Sequence, residues 1–227
     1  MRSIWRTLDR DLLRAVALIC LSVGIVGVSY GAVAAGSGLP RWLPMMTAPL
    51  VLAASSEFLF IGIIAGGGNP FAAALAGLVV NARHLAYGLA VPDVIQRGLR
   101  RLPATHLMND ETVVLALAQP DLARKRAAYW AAGAGILLCW PAGTLAGVVI
   151  GSTLHDPAAL GLGAVFPASI LALVLPALRE RGIRRAALTG AAIALAGTAF
   201  LPAGVPEILS VAGVAASLTR PKAPDAR

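Results

Sequence analysis

Apolar stretches long enough to cross a lipid bilayer recur along the sequence, and they limit what the chain can fold into. The hydrocarbon core of a bilayer is about 30 Å thick, so a helix needs about 20 mostly apolar residues to cross it. We therefore predict an all-α, polytopic membrane helix bundle with six or seven apolar segments. The stretches are Leu12–Ala35, Leu43–Ala65, Phe71–Val91, Ala127–Ile150, Leu160–Leu178, Ile183–Phe200 and Val205–Leu218.

The composition agrees with a membrane protein. Hydrophobic residues make up 58% of the chain and charged residues only 13%, whereas a soluble domain carries about 25% charged residues. The net charge is +8, but the basic residues cluster between apolar runs, which favours contact with anionic lipid over nucleic-acid binding. Cys20 and Cys139 lie far apart inside apolar stretches without a CxxC spacing, so we interpret both as apolar fillers.

The distribution of basic residues predicts the orientation in a bacterial cytoplasmic (inner) membrane. Lys and Arg concentrate in the N-terminal arm, in 92–126, in 179–185 and in the C-terminal tail, and segments 65–70, 151–159 and 201–206 have none. The positive-inside rule places the segments 92–126 and 179–185 and the tail in the cytoplasm. We assign residues 1–218 to a single transmembrane domain and 219–227 to a disordered cytoplasmic tail.

The N-terminal half does not fit this orientation with unbroken helices. A cytoplasmic N-terminus and a cytoplasmic 92–126 segment require an even number of crossings, yet three apolar stretches lie between them. We predict a broken or re-entrant segment within 43–91; the alternative is an external N-terminus. Irregular backbone at membrane depth persists only where protein or a water-filled cavity satisfies it, so the break predicts a transport site.

Three further patterns concern the helices themselves. The first stretch has a basic flank with arginines at 2, 6, 10 and 14 and contains a possible cleavage site at 32–34, but it is longer than the core of a signal peptide, so we favour a retained helix. The steps Gly27–Gly31, Gly143–Gly147 and Gly147–Gly151 predict close helix packing. Pro141 is a candidate kink.

Glu57 is an ionisable residue well inside the second apolar stretch. Such groups are costly in lipid and are functional candidates by default. Glu57 is interpreted as a proton carrier or a polar contact to substrate, as a structural partner of Arg83, or as both.

The segment Asn81–Gly88 contains the densest group of polar residues within an apolar stretch. In a helix Asn81 and His84 share one face, and Arg83 and Tyr87 share a neighbouring face. The Arg83 guanidinium keeps its charge, so it requires a carboxylate, backbone carbonyls or water, and it is able to hold a substrate carboxylate by two hydrogen bonds. Alternatives are that Arg83 only pairs with Glu57 or extends to the interface, and that His84 is structural and not a proton relay.

Asp110 and Glu111 precede an apolar run that is too short to span a membrane. Asp110 is able to cap this helix with Glu111 in its first turn. A role at the cytoplasmic mouth, pairing with arginines or exchanging protons, is the functional alternative.

Other polar residues give no site. His155, Asp156 and Glu207 are expected to be structural. No phosphate-binding loop, Gly-x-Ser-x-Gly motif or cluster with metal-ligand spacing occurs, so we predict no enzyme activity, no metal and no cofactor. Gly66–Gly68 is interpreted as a flexible connection or a helix break.

These motifs resemble a known family. Asn81-Ala82-Arg83-His84 and Gly88 resemble the N-x-R-H-x-x-x-G signature of AzlC-type branched-chain amino-acid permeases, and Asp110-Glu111 after His106-Leu107 resembles the h-l-x-x-D-E segment that follows it. Weaker matches are Ser55–Phe58, in the place of G-A-x-Q-F, and Leu160–Gly163, in the place of L-G-L-D. The resemblance runs from about residue 20 to residue 215.

The resemblance implies a secondary transporter subunit that exports branched-chain amino acids, driven by the proton gradient, with a small membrane partner of the AzlD type. A zwitterionic substrate would then lie near Glu57, Asn81, Arg83 and His84. Two residues depart from the family pattern: Glu57 stands where Gln is usual, and Gly163 stands where Asp is usual. One acid gained and one lost is interpreted as a relocated carboxylate. Alternatives are a channel or carrier for another solute and a non-transporting assembly protein.

Overall fold

Every regular element in the described part of the chain is a helix. A computed structural model describes residues 8–95, 98–153 and 177–215, with isolated residues 164, 168, 171, 174 and 175. The α-helices are α1 Arg10–Gly36, α2 Trp42–Val51, α3 Ala54–Ala65, α4 Pro70–Asn81, α5 Arg83–Ala90, α6 Arg101–His106, α7 Asp110–Leu117, α8 Leu122–Thr153, α9 Arg181–Thr198 and α10 Val205–Leu209. Short 3-10 helices cover Gly98–Arg100, Ala177–Arg179 and Ser210–Val214.

Two of these helices are long and apolar enough to span a membrane, α1 and α8. They match the first and fourth predicted stretches, with ends extended by one to five residues. The other predicted stretches appear as shorter helices, and the count of six or seven apolar segments stays a prediction. Most of the stretch 160–178, the loop with His155 and Asp156, Gly163 and the tail 219–227 lie outside the described residues.

The outward faces of the long helices carry large apolar side chains. On α1, Leu18 is 58% exposed and Leu21 is 62% exposed, and on α8 Leu138 is 72% exposed. Exposed apolar side chains of this kind are unfavourable in water and favourable against lipid. Together with the length of α1 and α8, they fit a helical membrane protein.

The described residues form two compact units, 1–58 with 80–166 and 59–79 with 167–227. In the first unit α1 packs along α8, and α2 and α7 also pack on α8. The contacts advance in the same direction on both helices: Gly27 lies against Trp140, and Gly31 against Thr144 and Val148. The helices α1 and α8 are therefore parallel.

The predicted glycine steps form this helix pair. A Cβ atom built on Gly27 would lie 2.8 Å from the Trp140 carbonyl oxygen, and one on Gly151 would lie 2.6 Å from the Ala32 carbonyl oxygen. Backbone-to-backbone approach of this kind is possible only for residues without a side chain. Cys20 lies against Gly135 of α8, which agrees with its interpretation as a filler. Pro141 lies within α8, and the helix continues through it.

The start of α1 is tied to the start of α8. The Asp9 carboxylate accepts a hydrogen bond from the Leu12 backbone N–H at 2.9 Å and pairs with Arg124 at 2.6 Å. These two interactions lower the pKa of Asp9, the backbone hydrogen bond being the larger cause. An acidic N-cap satisfies a free N–H group and complements the helix dipole.

The second unit has a small core of Ile63, Ala73 and Ala76, with Ile208 packed against it. The chain leaves α3 through a turn in which Gly67 has a φ of 79° and the Gly68 N–H donates to the Ile63 carbonyl at 2.8 Å. Of the two interpretations of Gly66–Gly68, the structure shows the helix break. Glu207 lies in the first turn of α10 and accepts the Gly204 N–H at 2.9 Å, so its structural role is confirmed.

Candidate functional site

The second predicted stretch is broken between α2 and α3. Leu52 has φ 53° and ψ 39°, a left-handed conformation that is uncommon for a residue with a side chain. In an uninterrupted helix the Ala53 N–H would donate to the Pro49 carbonyl. Here Ala53 donates to Glu57 Oε1 at 3.0 Å, and the Pro49 carbonyl accepts from His106 Nε2 at 2.9 Å. Two side chains thus replace one backbone hydrogen bond.

Glu57 is almost completely enclosed, with 2% of its surface exposed. Its Oε1 atom accepts a second hydrogen bond, from Trp140 Nε1 at 3.2 Å. Its Oε2 atom has no hydrogen-bond partner among the described residues. A buried carboxyl oxygen without a partner is costly, so it is a candidate position for a proton or for a donor group of a ligand.

Aromatic side chains surround the Glu57 carboxyl group. The ring of Tyr30 lies 5.4 Å from that of Trp140, stacked, and 5.2 Å from that of Phe58, edge to face. The Tyr30 hydroxyl group hydrogen-bonds to Thr47 Oγ1 at 2.7 Å. Tyr30 and Trp140 are both buried, so α1, α2, α3 and α8 all contribute to the walls around this carboxyl group.

The third predicted stretch is interrupted at Ala82, between α4 and α5. Ala82 keeps right-handed helical dihedral angles, and the Leu85 N–H donates to the Ala82 carbonyl at 3.0 Å. The Asn81 carbonyl accepts from His84 Nδ1 at 2.9 Å. The structure therefore brings Asn81 and His84 together, as the helical spacing predicts, through a backbone oxygen at the interruption.

Arg83 and Tyr87 share one face, and both contact Asp110. Arg83 Nη2 lies 3.2 Å from Asp110 Oδ2, and the Tyr87 hydroxyl group donates to Asp110 Oδ1. The side chains of Arg83 and Asp110 are 27% and 23% exposed. Arg83 thus pairs with Asp110, and the alternative in which it pairs with Glu57 is wrong.

The helix that carries Asp110 is capped by another residue. Asn109 Oδ1 accepts the Thr112 N–H at 2.9 Å, and Thr112 Oγ1 accepts the Asn109 N–H at 3.0 Å, a reciprocal capping box. The expectation that Asp110 is the cap is wrong. Because the cap does not use the Asp110 carboxylate, that group is available to Arg83 and Tyr87. Glu111 lies in the first turn, as expected, and forms no ion pair within the described ranges.

Several groups at the site were not predicted from the sequence. The sequence predicts no role for Tyr30, Thr47, Trp140 or Asn109. It includes His106 only within the family motif. Trp140 had a weak signal, since an indole N–H in an apolar helix usually needs an acceptor. The sequence has no corresponding signal for the left-handed Leu52.

The two interruptions leave polar atoms available to a ligand. In the part of the chain that the structure describes, Glu57 Oε2, Asn81 Oδ1 and Arg83 Nε are buried without hydrogen-bond partners. Two of these atoms are acceptors and one is a charged donor. The ammonium group of a zwitterion requires acceptors and its carboxylate requires donors. The set therefore contains an acceptor for the ammonium group and a donor for the carboxylate.

Comparison with known proteins identifies the family. The family described as AzlC protein matches residues 18–154, which is more than half of the chain. A curated relative, the branched-chain amino acid transport protein AzlC of Bacillus subtilis (strain 168), is 26% identical over 205 residues, covering 86% of this chain and 79% of the relative. No solved structure matches the chain. The match includes Glu57, Arg83 and Asp110, and it confirms the resemblance: the chain belongs to the AzlC protein family.

Proposed function

We propose that the chain is the large subunit of a secondary transporter that exports branched-chain or related hydrophobic amino acids in exchange for protons. The observation that carries the proposal is the unpartnered, buried Oε2 atom of Glu57 at a helix interruption. Interrupted helices in transporters expose backbone and polar groups to substrates and coupling ions near the middle of the membrane. The branched-chain substrate class comes from the relative's name.

The proposal gives the residues separate roles. The substrate ammonium group binds Glu57 Oε2 or Asn81 Oδ1, and the substrate carboxylate binds the Arg83 guanidinium. The apolar side chain of the substrate contacts the aromatic walls formed by Tyr30, Phe58 and Trp140.

Proton exchange is assigned to Glu57 or to the pair Asp110–Glu111, with His84 as a further relay group. Asp110 bonds Tyr87 and Arg83, so a substrate carboxylate that reaches Arg83 competes with Asp110. Such competition couples substrate binding to the protonation of an acidic residue.

A transport assay tests the proposal. Proteoliposomes containing the purified chain, with and without a small AzlD-type membrane subunit, are loaded with radiolabelled leucine, isoleucine, valine or methionine, and a pH difference is imposed. We expect substrate efflux that requires the inward proton gradient. Efflux of an unrelated solute would support a different carrier or channel, and absence of any flux with the partner present would support an assembly protein; either result would overturn the proposal.

A further inference from the structure

His106, the last residue of α6, hydrogen-bonds to the Pro49 carbonyl, which has no helical donor because of the interruption at Leu52. The Pro49 carbonyl loses its helical donor because Ala53 turns to Glu57. His106 Nε2 replaces that donor at 2.9 Å, across a long separation in sequence. A carbonyl oxygen only accepts, so Nε2 carries the hydrogen.

The contact has a consequence for Glu57. If the Pro49 carbonyl were free, it would compete for the Ala53 N–H, which is its helical partner. The Ala53 N–H is one of the two groups that donate hydrogen bonds to Glu57 Oε1; the other is Trp140 Nε1. Occupation of the Pro49 carbonyl by His106 therefore keeps the Ala53 N–H directed at the Glu57 carboxyl group.

The same short segment reaches the second interruption. Asp110, four residues after His106, bonds Arg83 and Tyr87 of α5. The capping box of Asn109 and Thr112 fixes the backbone at 109–112, and the Thr112 hydroxyl group donates to the Leu107 carbonyl at 3.1 Å, next to His106. Residues 106–112 thus contact both interrupted stretches through a rigid connection.

We propose that His106 is a positioning residue for Glu57: its Nε2–H group maintains the interruption at Leu52 and so fixes the carboxyl group that binds substrate or proton. The inference rests on the proposed function, because Glu57 is assigned its role there. His106 itself contacts neither substrate nor proton in this scheme.

Three substitutions at position 106 separate the hydrogen bond from the bulk of the side chain. His106→Gln places an amide Nε2–H near the position of the imidazole Nε2–H, so it is expected to restore the contact. His106→Asn is polar but too short to reach the Pro49 carbonyl, and His106→Ala removes both bulk and donor. The Asn variant is the matched control for polarity.

The first measurement is hydrogen exchange of the purified protein in detergent, followed on peptides that cover 49–58. We expect faster exchange for His106→Ala and His106→Asn and near wild-type exchange for His106→Gln. The second is leucine efflux from proteoliposomes. The histidine is exposed and water competes for its hydrogen bond, so we expect roughly a three- to tenfold loss of efflux rate in the Ala and Asn variants, with recovery in Gln.

The outcomes distinguish this inference from the proposed function. If the wild-type protein exports leucine and His106→Ala exports it at the same rate, the positioning role is overturned, even when hydrogen exchange of 49–58 becomes faster. Equal loss in the Gln and Asn variants also overturns it, since the donor would not be the determinant. A wild-type chain that moves no amino acid contradicts the proposed function instead, and unchanged exchange in His106→Ala would then still contradict the contact.

Discussion

Two ionisable residues in this chain have partners from distant segments. Arg83 obtains its counter-charge from Asp110, and Glu57 accepts one hydrogen bond from distant Trp140 and one from nearby Ala53. Charged groups at membrane depth are tolerated where partners or water solvate them. The two acids therefore serve different purposes: Asp110 neutralises a guanidinium, whereas Glu57 keeps one oxygen atom available.

Asp110→Asn tests the importance of the Arg83 pair. The substitution keeps a similar shape but removes the charge, so a partly buried guanidinium loses its counter-ion. Hydrogen bonds to charged groups contribute about 1.5–3 kcal/mol, and partial exposure reduces this, so we expect a loss of about 1–2 kcal/mol in the free energy of unfolding. Denaturation in mixed detergent micelles measures it. Asp93→Asn is the control, because the contact of Asp93 with Arg126 uses its backbone carbonyl; equal losses in both variants would contradict the prediction.

Glu57→Gln tests the proton-carrying role. The glutamine Oε1 atom is still able to accept from Ala53 and Trp140, so we expect a folded protein. An amide does not titrate, so the dependence of efflux on the proton gradient should be lost while facilitated exchange of labelled for unlabelled substrate persists. Unaltered efflux with unaltered pH dependence would refute both the coupling role and the relocation of the carboxylate from position 163.

At this scale the sequence predicted which side chains share a helix face but not the partners that they contact. The helical spacing of Arg83 and Tyr87 predicts their common face, and both contact Asp110. The pairing itself depends on which segments fold against α5, and residue spacing within one helix carries no information about that. The cap was mispredicted for a different reason. Asn and Asp are about equally good N-caps, so residue type alone does not show which of the neighbours Asn109 and Asp110 caps the helix.

At the scale of helices, the pair α1 and α8 depends on glycine. A Cβ atom on Gly147 would lie 2.8 Å from the Ala32 backbone nitrogen and closer still to the Val28 carbonyl oxygen. Neither atom moves without separating the helices. We expect Gly147→Ala to lower the free energy of unfolding by about 1–2 kcal/mol, the overpacking penalty less the helix-propensity gain of alanine.

Gly62→Ala is the matched control for this prediction. Gly62 lies within α3, and apart from its sequence neighbours and its own helix backbone no atom of the described residues lies within 4 Å of a Cβ atom built there. Alanine should therefore add up to about 1 kcal/mol of stability by helix propensity alone. Denaturation of the two variants in mixed micelles measures the difference, and a Gly147→Ala protein as stable as Gly62→Ala would contradict the close packing of α1 on α8.

The contact of Asp9 with Arg124, between the starts of α1 and α8, makes a pH-dependent contribution to the free energy of unfolding. The pKa of Asp9 is lower in the folded state than its ordinary value of 3.8. A depressed pKa stabilises the folded state above the unfolded pKa, and this stabilisation disappears as the pH falls below about 3.8 through the lower folded value. Asp9→Asn should flatten stability against pH in this window, because asparagine keeps the cap but loses the charge. Denaturation of both proteins across this pH range measures the effect, and an identical acid limb in the wild-type and Asp9→Asn proteins would contradict the prediction.

Helix ends were predictable where the apolar pattern was long and unbroken, but the exact positions of the breaks were not. The predicted stretches for α1 and α8 differ from the structure by one to five residues at each end. The even number of membrane crossings that the basic residues require predicts an interruption within 43–91, but it does not predict the position of that interruption. Leu52 and Ala82 are apolar residues without turn chemistry, and side chains of Glu57, His106 and His84 satisfy the backbone there. The contact from His106 is tertiary, whereas Glu57 and His84 lie four and three residues from the backbone groups that they bond. Local and tertiary contacts together therefore determine where these helices stop.

For the whole molecule, the parallel arrangement of α1 and α8 constrains the topology. The contact of Asp9 with Arg124 and the ordered glycine contacts place the starts of both helices at one end of the pair. If both helices span the membrane, the N-terminal arm and the end of segment 92–126 lie on the same side. The basic residues in both then favour the cytoplasm. The contact thus argues against an external N-terminus and for an even number of crossings between them.

Labelling of single cysteines tests this topology. With Cys20 and Cys139 replaced by alanine, cysteines at Asp11 and Asp121 should react with a membrane-impermeant maleimide only after the cells are opened. Cysteines at Ser37 and Ser152, both exposed beyond or at the far ends of α1 and α8, should react in intact cells. The physical reason is that parallel spanning helices present like ends to like compartments. Labelling of position 11 and position 121 from opposite sides would contradict the parallel pair, and labelling of both from outside would reverse the orientation that the basic residues predict.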